Sequence, residues 1–154
     1  MPIRFAEKSD LQALVQLGVR MHALTRFKDQ AFDAQKVADA FMSLIEQGQK
    51  KYVFLVAQDS NQKIVGGLIG LVEQQIFSDA LIASVMHYDV LPEARMGGYG
   101  VRLLRAFEKW ADNRKVIEIN LGVNSGVGLE STGSFIQKMG YKKVGENFVK
   151  YQSP

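Results

Sequence analysis

Residues 90–104 read VLPEARMGGYGVRLL. A run of apolar strand formers stops at Pro92, and Gly97, Gly98 and Gly100 follow. Val101, Leu103, Leu104, Phe107 and Trp110 then recur at helical spacing. Glycine costs a helix about 1 kcal/mol relative to alanine, so its concentration in a first turn requires a reason. A helix N-terminus exposes about four unpaired N–H groups and roughly half a positive charge, which attracts anions. Glycine lets such a backbone close around phosphate oxygens because no Cβ stands in the way. Arg95, just upstream, adds a planar donor suited to the same anion. The segment reads as a diphosphate cradle at the end of a strand.

Two other phosphate motifs are ruled out. A Walker loop requires GxxxxGK followed by Ser or Thr, and the chain has no such string. A dinucleotide fingerprint, GxGxxG, started at Gly98 would place its third glycine at Leu103, and it belongs to a first strand–helix turn, whereas three strand-like runs precede this one.

Working outward, IRFA (3–6) is short and apolar enough for an edge strand. Ser9 with Gln12 fits a capping box ahead of a helix carrying Leu11, Leu14, Val15 and Met21. Asp33 is a second predicted N-cap, followed by Val37, Phe41, Leu44 and Ile45, with Gly48 as the C-terminal stop. Three apolar runs, 52–57, 64–73 and 80–91, are joined by short polar links and predict an antiparallel meander. After the glycine-rich turn comes a helix ending near Asn113, a strand over 116–123, and a short helix from Glu130 to Met139 stopped by Gly140. YKKVG and FVKY, joined at Glu146 and Asn147, are expected to form a closing hairpin. The expected fold is α+β: a mixed, mostly antiparallel sheet of six to seven strands with about four helices, in one domain spanning 1–154.

Composition bounds the rest. The net charge is +3, from 19 Lys and Arg against 16 Asp and Glu, with no basic run, so nucleic acid is not the expected partner. The absence of cysteine excludes disulfides, thiolate metal sites and a cysteine nucleophile, and two histidines without matching carboxylate spacing make no metal site. No signal-peptide pattern opens the sequence and no apolar stretch is long enough to span a membrane, so a soluble cytoplasmic domain is expected.

The string from Val90 to Gly100 resembles the acetyl-CoA motif of the GNAT-type N-acetyltransferases, [QR]xxGx[GA] preceded by V-x-P, with Arg95, Gly98 and Gly100 at the defined positions. SFIQKMGYKKVG (134–145) resembles the family's FYxKxGFxxxG segment through Phe135, Lys138, Gly140, Tyr141 and Gly145. The element order resembles that family from end to end. The resemblance implies transfer of an acetyl group from acetyl-CoA to a primary amine of a small molecule or peptide, with no metal. It implies that the amides of Arg95, Met96, Gly97, Gly98, Tyr99, Gly100, Val101 and Arg102 hold the CoA diphosphate. The pantetheine arm would pair like a strand near Tyr88, Val90 and Leu91, in a slot where that strand splays from the strand at 116–123. A backbone N–H near Tyr88 would polarise the thioester carbonyl. Homodimers are common in such a family.

The resemblance is incomplete in two places. Where the family often has a Tyr that protonates the leaving thiolate, this chain has Ile136, and Thr132 and Leu129 replace the small residue and Asn usual before it. Asn124 and Ser131 are alternative polar contacts to CoA. Simple strand alternation puts Ser84, Met86, Tyr88 and Val90 on one face and His87 with Asp89 on the other. His87 and Asp89 are the candidates for removing the amine proton, provided a bulge turns them toward the acceptor. The acceptor site is expected to be shaped by residues 22–36 and the hairpin at 145–148. The rival reading is a catalytically weak acyl-CoA sensor or scaffold module.

Overall fold

The computed structural model describes residues 2–153. Five strands form one sheet in the order β1-β2-β3-β4-β5: β1 (Ile3–Phe5), β2 (Tyr52–Gln58), β3 (Ile64–Gln74), β4 (Leu81–Val90) and β5 (Glu118–Leu121). The first four are antiparallel neighbours, and β5 pairs with β4 in parallel. The helices are α1 (Leu11–His22), α2 (Ala34–Glu46), α3 (Tyr99–Asp112) and α4 (Leu129–Lys138), with 3₁₀ turns at Lys8–Asp10 and Pro92–Gly97.

Helices cover both faces of the sheet. α3 buries Leu103, Leu104, Phe107, Trp110 and Ala111, a stripe at helical period, against β2, β3 and β4. Burying such side chains stabilises the fold by roughly 1.5–3 kcal/mol each. Gly70 of β3 is required here, because a Cβ on it would lie 2.2 Å from the Phe107 ring. On the opposite face, Leu17 of α1 lies over Gly67, and Phe41 of α2 meets Phe54 of β2 edge-on at 5.0 Å.

The α+β class and the predicted helices are present, but the strand count is five, not six to seven. The predicted closing hairpin is absent: residues 141–153 form no strand, with Val144 88% and Phe148 90% exposed. A hairpin alone in water is marginal and needs a surface to bury one face. Tyr141 packs against the core, but Val144 and Phe148 beyond it stay exposed, and a local Lys143–Glu146 ion pair at 2.9 Å does not substitute for a buried face. β5 is also shorter than the predicted 116–123.

Three of four predicted helix punctuation marks are in place, among them Gly140 after α4 at φ +100°. Asp33 Oδ1 accepts from the Lys36 N–H at 3.1 Å, and Gly48 follows α2 with φ +69°. Ser9 is not the cap of the first helical segment. Glu7 is, and the Glu7 N–H donates to Asp10 Oδ2 at 2.7 Å. Asp10 wins because Arg4 grips the same carboxylate from both Nη atoms at 2.8 Å. Those bonds hold the Asp10 carboxyl below its ordinary range against the opposing effect of burial.

Candidate active site

β4 is paired on both sides only part of the way. Its bonds to β5 run from Ile82–Glu118 to Val85–Leu121, and residues 86–90 continue with β3 alone. A gap therefore opens in the pairing between the end of β4 and the chain leaving β5.

A bulge sits where the gap begins. Val85 opposes Gly70 and His87 opposes Ile69, so Met86 is the extra residue. Residues directly opposite share a face. Gly70 faces Phe107 of α3, and Gly67, opposite Asp89, faces Leu17 of α1. Ser84, His87 and Asp89 consequently share the α1 face, while Val85, Tyr88 and Val90 share the α3 face. Simple alternation is overturned: Ser84 does not share a face with Tyr88 and Val90, and the bulge is the reason. Burial raises the Asp89 carboxyl above its ordinary range, opposed by the charges of His87 and Arg95. His87 and Met86 are exposed.

At its far end β4 runs into the glycine-rich turn. Leu91 is buried and its N–H donates to Val65 at 2.8 Å, and Pro92 opens the 3₁₀ turn. Gly98 has φ +77° and is the N-cap of α3, a left-handed conformation that side chains disfavour. A Cβ on Gly97 would lie 2.5 Å from the Tyr99 ring, and one on Gly100 would lie 3.3 Å from Tyr88 Oη. Each of the three glycines therefore has an internal cause as well as an open backbone. The first intrahelical bond is Arg102 N–H to Gly98 O at 3.2 Å, so the amides of Tyr99, Gly100 and Val101 have no earlier helical carbonyl to bond.

Side chains brace this turn. The Tyr88 hydroxyl donates to the Gly100 carbonyl, tying β4 to α3, and burial raises its pKa, followed by the nearby Glu108 charge. Arg102 Nη1 donates to Gly97 O at 3.1 Å, and Arg95 Nε to Val90 O at 3.3 Å. Met96 is 99% exposed, so only its main chain faces the turn. Arg20 of α1 forms a fork with Glu93 at 2.7 and 2.9 Å, which depresses the Glu93 carboxyl to about 2.

The fold of this β4–α3 junction and the family match agree. The pattern of the "Acetyltransferase (GNAT) family" matches residues 19–141. The chain belongs to the GNAT acetyltransferase family. Among curated proteins, none matches it significantly. Solved structures with the same fold include a putative acetyltransferase from Agrobacterium tumefaciens (20% identity, TM-score 0.78, covering 99% of this chain and 100% of that one). Others are the glucosamine-6-phosphate N-acetyltransferase of Arabidopsis thaliana (16%, 0.76, 98% and 97%) and an aminoglycoside 6'-N-acetyltransferase of Acinetobacter baumannii (18%, 0.73, 99% and 97%). At these identities the likeness is one of fold.

The remaining expected site residues of this GNAT chain are placed as follows. Ile136 is buried at 8% exposure, so that position is core and offers no hydroxyl. The Asn124 main-chain and side-chain oxygens accept from Arg26 at 2.8 and 3.0 Å, so its side chain is already engaged. Ser131 donates to Gly128 O at 3.0 Å. The expected acceptor wall at 145–148 is not a hairpin; Tyr151 instead approaches Arg26 at 3.4 Å. His22 packs against Phe32, ring to ring at 5.3 Å, as a packing residue does. Sequence reasoning missed Arg20 and Arg26, whose partners lie 73 and 98 residues away. No helix of the described residues is long and apolar enough to cross a membrane.

Proposed function

We propose that this GNAT protein moves an acetyl group from acetyl-CoA to a primary amine of a small molecule or peptide by direct attack. One observation carries the reading: a strand free along 86–90 leads into a helix N-terminus capped by a left-handed glycine with no side-chain cap. The cradle passes a test of fit. A side chain at Gly98 would be strained at φ +77°, and the cap position carries no side-chain oxygen to close the amides. The main-chain N–H groups from Arg95 to Val101 would hold the diphosphate, that of Arg102 being taken by Gly98 O, and the backbone near Tyr88, Val90 and Leu91 would hold the pantetheine arm. When bound, acetyl-CoA supplies an acyl carbon activated as a thioester, which the amine attacks as the thiolate departs.

The chain's own groups then have separable duties. A main-chain N–H near Tyr88 donates to the carbonyl oxygen as negative charge builds on it. His87 and Asp89, which share the α1 face of β4 beyond the Met86 bulge, take the proton from the attacking nitrogen, directly or through water. With Ile136 buried, the thiolate leaves without a hydroxyl from that position. That same residue favours the rival reading, a catalytically weak acyl-CoA sensor or scaffold module.

Calorimetry with acetyl-CoA and a thiol-release assay test both readings. The amine panel is an amino sugar, an aminoglycoside, a polyamine, an arylalkylamine and a peptide with a free N-terminus. Binding with turnover on at least one amine is expected. Binding without turnover on any would select the sensor, and no binding would defeat both.

A further inference from the structure

Arg26 lies in the connection between α1 and α2 and has no part in the proposed chemistry. Its main-chain N–H donates to the Ser125 carbonyl at 2.8 Å, Nε to the Asn124 carbonyl at 2.8 Å, and Nη2 to Asn124 Oδ1 at 3.0 Å. Nη1 reaches the Tyr151 hydroxyl at 3.4 Å, and the guanidinium carbon sits 4.2 Å from the centre of the Phe27 ring. A Cβ on Gly126 would come within 3.0 Å of Arg26 Cβ. Two segments without helix or strand, 23–33 and 122–128, therefore meet at one side chain.

Where the two ends of that contact attach is informative. Arg20 bonds Glu93, just past the end of β4, and Arg26 bonds Asn124, just past the end of β5. The stretch from Arg20 to Arg26 thus ties together the two ends that diverge around the gap. It does so from the α1 side, the face that carries His87 and Asp89. The planar fork serves both Asn124 oxygens in one fixed geometry, which the point charge of a lysine does not reproduce.

We infer that Arg26 is a positioning residue: it latches the α1–α2 connection to the Asn124 loop as one wall of the acceptor entrance, acting through those loops and not on the substrate. This rests on the acetyl-transfer reading for its kinetic consequence, but not for its structural one. The amine with the highest turnover in the panel above is the probe. Arg26→Ala is expected to raise its KM about tenfold with kcat changed less than twofold, and Arg26→Lys to recover little of that loss.

The chain has no cysteine, so an Arg26→Cys/Gly126→Cys pair would hold its only thiols. Oxidised, this pair replaces the latch with a covalent one and should bring KM within about threefold of wild type. Reduced, it should behave like Arg26→Ala. Gly126→Cys alone, at φ +75°, is the control for strain. An unchanged KM in Arg26→Ala overturns the inference, as does an oxidised pair no better than the reduced one, because the guanidinium itself would then be what matters. Hydrogen exchange gives a readout free of turnover: amides of 23–33 and 122–128 should exchange at least tenfold faster in Arg26→Ala. Unchanged exchange overturns the latch, whereas a wild-type chain that acetylates nothing would sink the acetyl-transfer reading while faster exchange still supported the latch.

Discussion

The N-termini of α2 and α3 solve the same physical problem in opposite ways. Each helix start presents unpaired N–H groups and partial positive charge. α2 closes its own end with the Asp33 carboxylate. α1 has Asp10 as its N-cap residue, and α4 carries Glu130 in its first turn. Among the described residues, α3 alone among the α-helices has no acidic residue at its cap or in its first turn, and it places Arg102 there instead. A cation at a helix N-terminus is unfavourable. α2 closes its end by a hydrogen bond, whereas α1 and α4 only place a carboxylate near theirs. α3 has neither, which leaves it the end most receptive to an anion from outside, beside a strand whose edge is free. Closed ends should matter to stability and the open end to binding, and substitutions can pull those two quantities apart.

The largest expected effect is at the open end. Gly98→Val puts a β-branched side chain at φ +77°, where an L residue costs about 1–2 kcal/mol. The backbone must rotate to relieve it, which turns the amides away. Affinity for acetyl-CoA by calorimetry should fall at least 100-fold, roughly 2.7 kcal/mol, with the circular dichroism spectrum retained. Wild-type affinity in a folded Gly98→Val protein would break the comparison at its root.

At Asp10, whose carboxylate holds the turn ahead of α1, the loss should be in stability alone. Asp10→Asn removes charge-assisted bonds to Arg4 and weakens the bond from the Glu7 N–H, costing about 2 kcal/mol in urea unfolding. The sign of the pH dependence follows from the lowered Asp10 pKa. Its stabilisation is present above the unfolded-state value, near 4, and is lost as pH falls through the lower folded value. Asp10→Asn should therefore flatten the acid limb of the stability curve while leaving acetyl-CoA affinity within twofold. A variant that kept the full acid limb would show that Asp10 does not carry it.

This division also explains what could be read from the residues beforehand. The β4–α3 junction was legible because its causes are local: Pro92 stops the strand, and a left-handed cap calls for Gly98. Asp33 was legible for the same reason. The bulge at Met86 was not, because its position is set across the sheet, where Gly70 leaves room for Phe107 and fixes which β4 residue stands opposite. Simple alternation therefore put Ser84 on the face of Tyr88 and Val90, when it stands with His87 and Asp89. The C-terminal hairpin was misread for the converse reason: residues 141–151 have strand alternation, but alternation cannot supply a surface to pack on. Arg26 left no spacing signal, since its partner Asn124 is 98 residues away.

A smaller loss belongs to α2. Asp33→Ala removes the one side-chain bond to that helix start among the described residues, and such caps contribute about 1 kcal/mol. The unfolding midpoint should drop accordingly while acetyl-CoA affinity stays at the wild-type value. A parallel loss of affinity would mean that the α2 end communicates with the cradle, and the two ends would no longer be independent.

The finest test makes α3 resemble its neighbours. Val101 lies in the first turn of α3 and is 41% exposed, so Val101→Asp introduces the missing anion with little loss of packing. On dipole grounds it should stabilise the fold by about 0.3–1 kcal/mol. If the open amides serve a diphosphate, the same carboxylate should weaken acetyl-CoA binding about fivefold, roughly 1 kcal/mol, and the loss should shrink as salt screens the repulsion. Opposite signs from one substitution are the signature of an end kept open for a ligand. If stability and affinity instead rose together, α3 would be an ordinary helix start that happened to lack a cap, and the diphosphate would have to be held elsewhere.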